Sequence, residues 1–428
     1  MSVRAPSESA TPAVEEQICP QCGGGYPVQA GFVPWCDRCG WGLKPPALPR
    51  ARSPFAKLYV EAGRRAGGAL LAEMRRGPVG RPRLTPALAA AFALAVLVHG
   101  VTLGLVALGV ALLAGAWGYW IIVAVGLLCL GLAWVIRPRA PRLDAEDRDG
   151  LVTRAGFPAL FALTDRVAAA LGARPVETIV LTGDFNAAYG AFGWRRRPVL
   201  FIGLPLFAIL DDAERVSLLG HELAHGVNGD PTRGFVVGTA IDSLTGWYRM
   251  LHPGRIGGGI IEMCSQLIML ALARVVLSVA LALVYLLSHT KQRAEYLADA
   301  LGARAGGTPA VLRLLEKLHL GHTFVQTRRR VALTGGADFF AEWHRQAATV
   351  PARELARIRR VQLLEGSRLD HTHPPTAYRV AVLEAHPVAT PAVTVTPEQH
   401  AALERELATV HPQIHTRLMD RDTSRLYD

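Results

Sequence analysis

His221-Glu222-Leu223-Ala224-His225 is the stretch on which the reading of this chain turns. On a helix the two histidines lie four residues apart, so both imidazoles project from one face and can grip one ion. Glu222 follows the first histidine, where a carboxylate can take a proton from water at the metal. Read alone, such a pentapeptide also occurs by chance on surface helices, and it lacks a third ligand. The flanking residues place it on a packed helix. Asp211 with Glu214 fits a capping box at the start. Val216, Leu219, Leu223 and Val227 form an apolar stripe, and Gly226 and Gly229 allow the helix to end.

The third ligand should be a carboxylate or histidine on a later element. Arg293-Ala294-Glu295-Tyr296-Leu297-Ala298-Asp299-Ala300 offers Glu295 and Asp299, four apart on one helix face. Glu295 can complete a site of two histidines and one carboxylate, leaving a fourth position for water. Asp299 can accept the free N–H of a ligand histidine, fixing its tautomer. Upstream, residues 144–173 read as largely helical. Thr178–Thr182 and Pro198–Gly203 read as strands, with residues 184–190 between them. A sheet edge beside the metal helix can pair with an extended peptide, which makes Asn186 and Ala187 candidate substrate-binding residues.

Composition sets the context. Half of the 428 residues are hydrophobic and the net charge is +11; the mean hydropathy is +0.24. That is high for a soluble enzyme. The basic excess has no interleaved aromatic residues of the kind a base-stacking surface needs, so no nucleic-acid partner is expected. Instead, arginines flank apolar stretches. Residues 84–136 contain no Lys, Arg, Asp or Glu, enough for two membrane helices of roughly 20 residues each, about Pro86–Ala114 and Trp117–Ile136. Arg81 and Arg83 precede the pair, and Arg137, Arg139 and Arg142 follow it. Both ends of this hairpin are therefore expected in the cytoplasm. The polar Met1–Glu16 segment has no apolar core of a cleavable signal.

Cys19-x-x-Cys22 and Cys36-x-x-Cys39, separated by 13 residues and each followed by glycine, have zinc-ribbon spacing. Four thiolates close the coordination shell, so this zinc is expected to be structural. Cys129 and Cys264 lie in apolar runs and read as packing residues. After the ribbon, a Pro-rich linker leads to a basic segment around Pro54–Arg76. It reads either as an amphipathic helix on the anionic inner leaflet or as a solvated linker helix.

Four motifs in order then carry a resemblance. They are Asn186-Ala187; His221-Glu222-Leu223-Ala224-His225 with Asn228-Gly229-Asp230; Arg293 to Ala300; and Thr372-His373-Pro374-Pro375 with Arg379. Over residues 143–386 the chain resembles the membrane zinc endopeptidases that include HtpX-like heat-shock proteases and CAAX prenyl proteases. The resemblance implies a gluzincin fold, one catalytic zinc and cleavage of peptide bonds in membrane-associated or misfolded proteins. The ribbon is not a standard part of that pattern. His373 is a candidate to hydrogen-bond the tetrahedral oxyanion, or else a structural residue of its loop. Arg379 is expected to pair with a core carboxylate. His371, His319 and His322 have no ligand spacing and read as surface residues.

The apolar run 256–289, interrupted by Glu262 and Arg274, poses a topological problem. A single crossing there would put Glu295 on the opposite side of the bilayer from His221. The number of crossings between His225 and Glu295 must be even. Two crossings need about 40 residues, and a lipid-exposed Arg274 would be costly. A helical pair packed on the catalytic domain or lying at the membrane surface is therefore expected, with a re-entrant hairpin as the alternative.

The expected fold class is α+β and mainly helical: a zincin-like metalloprotease domain with a small β-sheet, an N-terminal transmembrane helical hairpin and an N-terminal zinc ribbon. The expected divisions are a disordered tail 1–16, ribbon 17–43, juxtamembrane segment 44–83, membrane hairpin 84–136, protease domain 143–390 with the insertion 256–289, and a tail 391–428 reading as a polar helix over Pro397–Leu418. The expected function is a multi-pass cell-membrane zinc endopeptidase. Its metal ligands are His221, His225 and Glu295, its catalytic residues Glu222 and His373, and Asp299 supports a ligand. Cys19, Cys22, Cys36 and Cys39 hold a second zinc. Peptide or protein substrates and the lipid bilayer are its partners, with ribbon and protease domain in the cytoplasm. The competing reading is a membrane-tethered ribbon protein of binding or regulatory function with a vestigial protease domain.

Overall fold

The computed structural model describes residues 14–43, 54–80, 85–115, 119–139, 141–193, 195–252, 254, 257, 259–366 and 373–427. His371 and Thr372 lie outside them, as do Arg81, Arg83 and Trp117. The ribbon begins with an antiparallel hairpin, β1 (Val14–Ile18) and β2 (Gly25–Gln29). The hairpin takes in residues 14–16, which the sequence reading had assigned to a disordered tail. Helix α1 (Pro54–Arg76) follows. One side of it packs on the rest of the chain. Leu70 and Met74 are buried against Tyr296 and Val382 of the protease domain, and the Met74 carbonyl bonds His386 at 2.9 Å.

Helices α2 (Pro86–Gly115) and α3 (Trp120–Ile136) form the apolar hairpin. The next elements are α4 (Ala145–Asp149), β3 (Leu151–Val152) and α5 (Pro158–Leu171). Residues 144–173, read as largely helical, are thus broken by a short strand that starts a sheet. β4 (Thr178–Thr182), β5 (Ala187–Phe192) and β6 (Arg197–Gly203) complete it in the order β3-β4-β6-β5. β4 and β6 run parallel, and β5 lies antiparallel at the edge.

After the short α6 (Leu204–Ala208), helix α7 (Asp212–Asn228) carries the histidine motif. Both bonds of the expected capping box form between Asp211 and Glu214. Gly229 ends the helix at φ 74°, a left-handed position that suits glycine. Helix α8 (Asp230–Leu251) leads away, and α9 (Ile260–Gly306) returns to deliver Glu295 and Asp299. The run 256–289 is therefore not a helical pair. From Ile260 onward it is the first part of one 47-residue helix, about 70 Å long at 1.5 Å per residue. α8 leaves the site and α9 comes back to it, which brings Glu295 beside His221.

α2, α8 and α9 share an apolar cluster that includes Leu88, Ala95, Val237, Leu244 and Leu283. His99 within α2 bonds the Val236 carbonyl at 3.0 Å and Thr239 at 3.3 Å, which satisfies a polar ring in apolar surroundings. By length and composition α2 and α9 are each able to cross a membrane, and little of either apolar window is buried. α3 is equally apolar but shorter, at 17 residues.

The remaining helices wrap the site: α10 (Thr308–Lys317), a 3-10 turn Leu318–Leu320, α11 (Gly321–Thr334), α12 (Phe339–Thr349), α13 (Ala352–Glu365), α14 (Thr376–Ala385), α15 (Pro397–Ala408) and α16 (His411–Tyr427). The C-terminal segment is two helices, not one polar helix. It also belongs to the protease core. Leu403, Leu407, Ile414 and Leu418 are buried with Leu160, Ile179 and Val216. Glu406 accepts the free N–H groups of Ala159 and Leu160 at the start of α5, and Arg328 pairs with Asp422 through two bonds.

The contact of α7 with α9 sets the site, and small residues permit it. A Cβ on Gly302 would lie 2.9 Å from the Ser217 carbonyl oxygen, and one on Gly306 2.5 Å from that of Ala213. These are backbone atoms, so the helices would have to separate. Gly302→Ala is expected to cost about 1–3 kcal/mol and to weaken metal retention. Thermal denaturation of the detergent-solubilised protein checks it, and an unchanged midpoint would refute the close-packing account.

Candidate active site and metal centres

α7 presents His221, Glu222 and His225 on a helix whose first turn is tied down. Buried Glu214 takes Arg313 at 3.0 Å and Lys317 at 2.6 Å, both from α10. α9 crosses with Glu295 and Asp299 in its charged, buried end, beyond the apolar stretch. His221 Nε2 lies 3.6 Å from one Glu295 oxygen and His225 Nε2 3.7 Å from the other. All three donor atoms fall within 4.8 Å of one another. Zinc bonds of about 2.0–2.1 Å in a tetrahedral shell put donors roughly 3.4 Å apart, so the three side chains fit such an ion with little adjustment.

Support around the donors is extensive. His221 donates from Nδ1 to Asp299 at 3.0 Å, which leaves Nε2 for the metal. Asp299 in turn takes two bonds from Arg379, at 2.7 and 2.5 Å. Burial disfavours the Asp299 charge, but Arg379 and His221 outweigh it and hold the carboxyl well below its ordinary range. Burial also opposes ionisation of Glu295. The His373 hydrogen bond and the charges of His373, His221 and Arg379 prevail, lowering its pKa to about 2. His373, half-exposed, makes this bond from Nδ1, so the structure brings it to the ligand carboxylate.

Glu222 is buried at 7 % exposure yet faces a cleft of about 490 Å³. Leu206, Leu218, Leu314, Leu315 and Leu318 make its apolar wall. Asn186 and Ala187 also line it, beside the outer edge of β5. Among the described residues no strand pairs with that edge. Gln362, Glu365 and Gly366 at the end of α13 line it too, together with His373. His319 lines the cleft as well, contrary to its reading as a surface residue. Burial, with the charge of Arg359, lowers its pKa to about 4. Leu318-His319-Leu320 has no local pattern that marks it, because tertiary packing and not ligand spacing brings the turn to the cleft.

At the other end of the chain, Cys19 Sγ lies 3.6 Å from Cys39 Sγ, and Cys22 Sγ 3.7 Å from Cys36 Sγ. Bonds of about 2.3 Å to a tetrahedral zinc separate sulfurs by roughly 3.8 Å. The spacing suits a metal and excludes disulfides, whose S–S bond is about 2.05 Å. Cys129 and Cys264 stand apart from this cluster.

A helical domain with a small sheet, two histidines and a glutamate converging beside a second glutamate, is the arrangement of a metalloprotease. Residues 157–386 match peptidase family M48. That is more than half of the chain, and the chain belongs to this family. Among similar proteins, a "Protease HtpX homolog" of Pyrobaculum calidifontis is 26% identical over 245 residues, 54% of this chain and 69% of the relative. One of Kineococcus radiotolerans is 30% identical over 191 residues, 42% of this chain and 56% of the relative. One of Pyrobaculum aerophilum is 27% identical over 246 residues, 53% of this chain and 67% of the relative. No solved structure matches the chain significantly.

Proposed function

We propose that this chain is a membrane-anchored zinc endopeptidase whose catalytic site faces the cytoplasm. The observation that carries the reading is the convergence of His221, His225 and Glu295 donor atoms within 4.8 Å, beside Glu222 and inside a cleft. His221, His225 and Glu295 would hold a zinc ion, which would supply Lewis acidity for the scissile carbonyl and for the attacking water. Glu222 takes the proton of that water and passes it to the leaving amine. Asp299, held by Arg379, keeps His221 in the tautomer that offers Nε2. His373 steadies Glu295 and stands at the cleft, where it can also meet the oxyanion. An extended substrate adds to the β5 edge past Asn186 and Ala187, and the leucine wall favours an apolar side chain next to the scissile bond.

The apolar surfaces of α2, α3 and α9 anchor the enzyme, with Arg137, Arg139 and Arg142 on the cytoplasmic side. That location suits membrane-associated or misfolded protein substrates. The four cysteines hold a second, structural zinc. Zinc content measured by mass spectrometry tests the assignment. Two ions per chain are expected, one lost in Glu295→Ala and the other in Cys19→Ser. A single ion unaffected by Glu295→Ala would reject the catalytic site.

A further inference from the structure

Helix α13 grips the ribbon at Trp35 and Asp37. Trp35, just before Cys36, is 3 % exposed. Two guanidinium groups of α13 cover its ring, Arg353 at 4.6 Å and Arg360 at 5.3 Å from the centroid. The same arginines donate to main-chain carbonyls, Arg353 to Trp35 and Arg360 to Asp37. The grip therefore falls on the second cysteine knuckle. The shape of that knuckle depends on Cys36 and Cys39, closed by the bonds of Cys36 N–H to Trp41 at 2.8 Å and Gly40 N–H to Cys36 at 2.9 Å.

α13 needs such a hold. Only Val361 among its fourteen residues is buried. Burying one valine contributes about 1.5–3 kcal/mol, against roughly 1–2 kcal/mol of backbone entropy for each residue ordered. Its far end makes the cleft side of Gln362, Glu365 and Gly366. Gln362 also accepts the Thr376 N–H at 3.2 Å, three residues beyond His373. Arg64 of α1 bonds the Glu365 carbonyl at 3.1 Å. A continuous chain of contacts thus runs from the cysteine cluster through Trp35 and α13 to the cleft.

We infer that the ribbon is an intramolecular clamp that holds α13, and through it the cleft lining at Gln362, Glu365 and Gly366, in the position that receives substrate. Trp35, Arg353 and Arg360 are positioning residues, and substrate binding follows the metal state of the ribbon. This inference rests on the proteolytic reading of the cleft, but its first readout does not.

The test uses the full chain in detergent. Trp35→Ala, and separately Arg353→Ala with Arg360→Ala, leave every thiol and every catalytic residue in place. Amide hydrogen exchange over residues 352–366 is expected to rise about tenfold, from the loss of both cation–π contacts. Zinc content should stay at the wild-type level, and KM for a casein-like substrate should rise roughly five- to tenfold with a smaller change in kcat. The arginine pair lies outside the ribbon, so ribbon misfolding cannot produce its phenotype. Lysines at both positions, which keep a cation over the ring, should recover part of the loss. Cys19→Ser should lose zinc and show the same raised exchange. Unchanged exchange in these variants overturns the clamp, and raised exchange with unchanged KM overturns its positioning role. A wild-type chain without peptidase activity would instead strike the proteolytic reading, leaving the exchange result to judge the clamp.

Discussion

Glu222→Gln is expected to keep its zinc and to lower kcat by about 10²–10⁴-fold, the usual worth of a positioned general base. Glutamine has the same shape and cannot accept the proton. Glu222 is not among the three convergent donors, so metal content should not change. KM should move little, because the leucine wall and the β5 edge that receive the peptide are untouched. Cleavage of a casein-like substrate, measured beside zinc content, checks it. Undiminished turnover in the zinc-loaded variant would sink the mechanism. The same variant can trap substrates in the cleft, and comparing its captured proteins with those of the wild type would identify them.

Arg379→Ala should be the most damaging change away from the metal. Arg379 and Asp299 are 5 % and 2 % exposed and share two hydrogen bonds. Removing one partner of a buried pair costs about 3–5 kcal/mol, because the other is left desolvated and unpaired. For a domain of this size that is a fall of roughly 6–20 °C in melting midpoint. Asp299 would also loosen its hold on His221, with an expected 10–100-fold loss of zinc affinity. Arg379→Lys should recover only part, since an ammonium cannot reproduce the two-pronged contact. Melting curves with and without added zinc measure both effects. A midpoint within about a degree of wild type would show that the pair contributes little.

Local chemistry made much of the site legible. The spacing of His221 and His225, the capping box at Asp211 and the positions of Glu295 and Asp299 on one face follow from helix periodicity, and the structure has them there. The strands at 178–182 and 198–203 declared themselves by β-branched and apolar runs. Other features carried no local signal. His319 reads as a surface residue without ligand spacing, and nothing in the sequence singles out Gln362 or Glu365. The C-terminal helices looked polar because their buried leucines are widely spaced among charges, yet those leucines close the core.

By itself the sequence determined which residues can hold the metals, because ligand spacing along a helix or knuckle is a short-range property. It also required an even number of passages between His225 and Glu295, because three ligands must meet at one ion. Only the tertiary structure decided the path of the chain between them, with α8 leaving the site and one long α9 returning past closely packed glycines. It alone decided that the ribbon rests on α13 and that α1 packs against the protease domain. Those contacts join residues hundreds of positions apart, where burial and shape rather than periodicity select the partner.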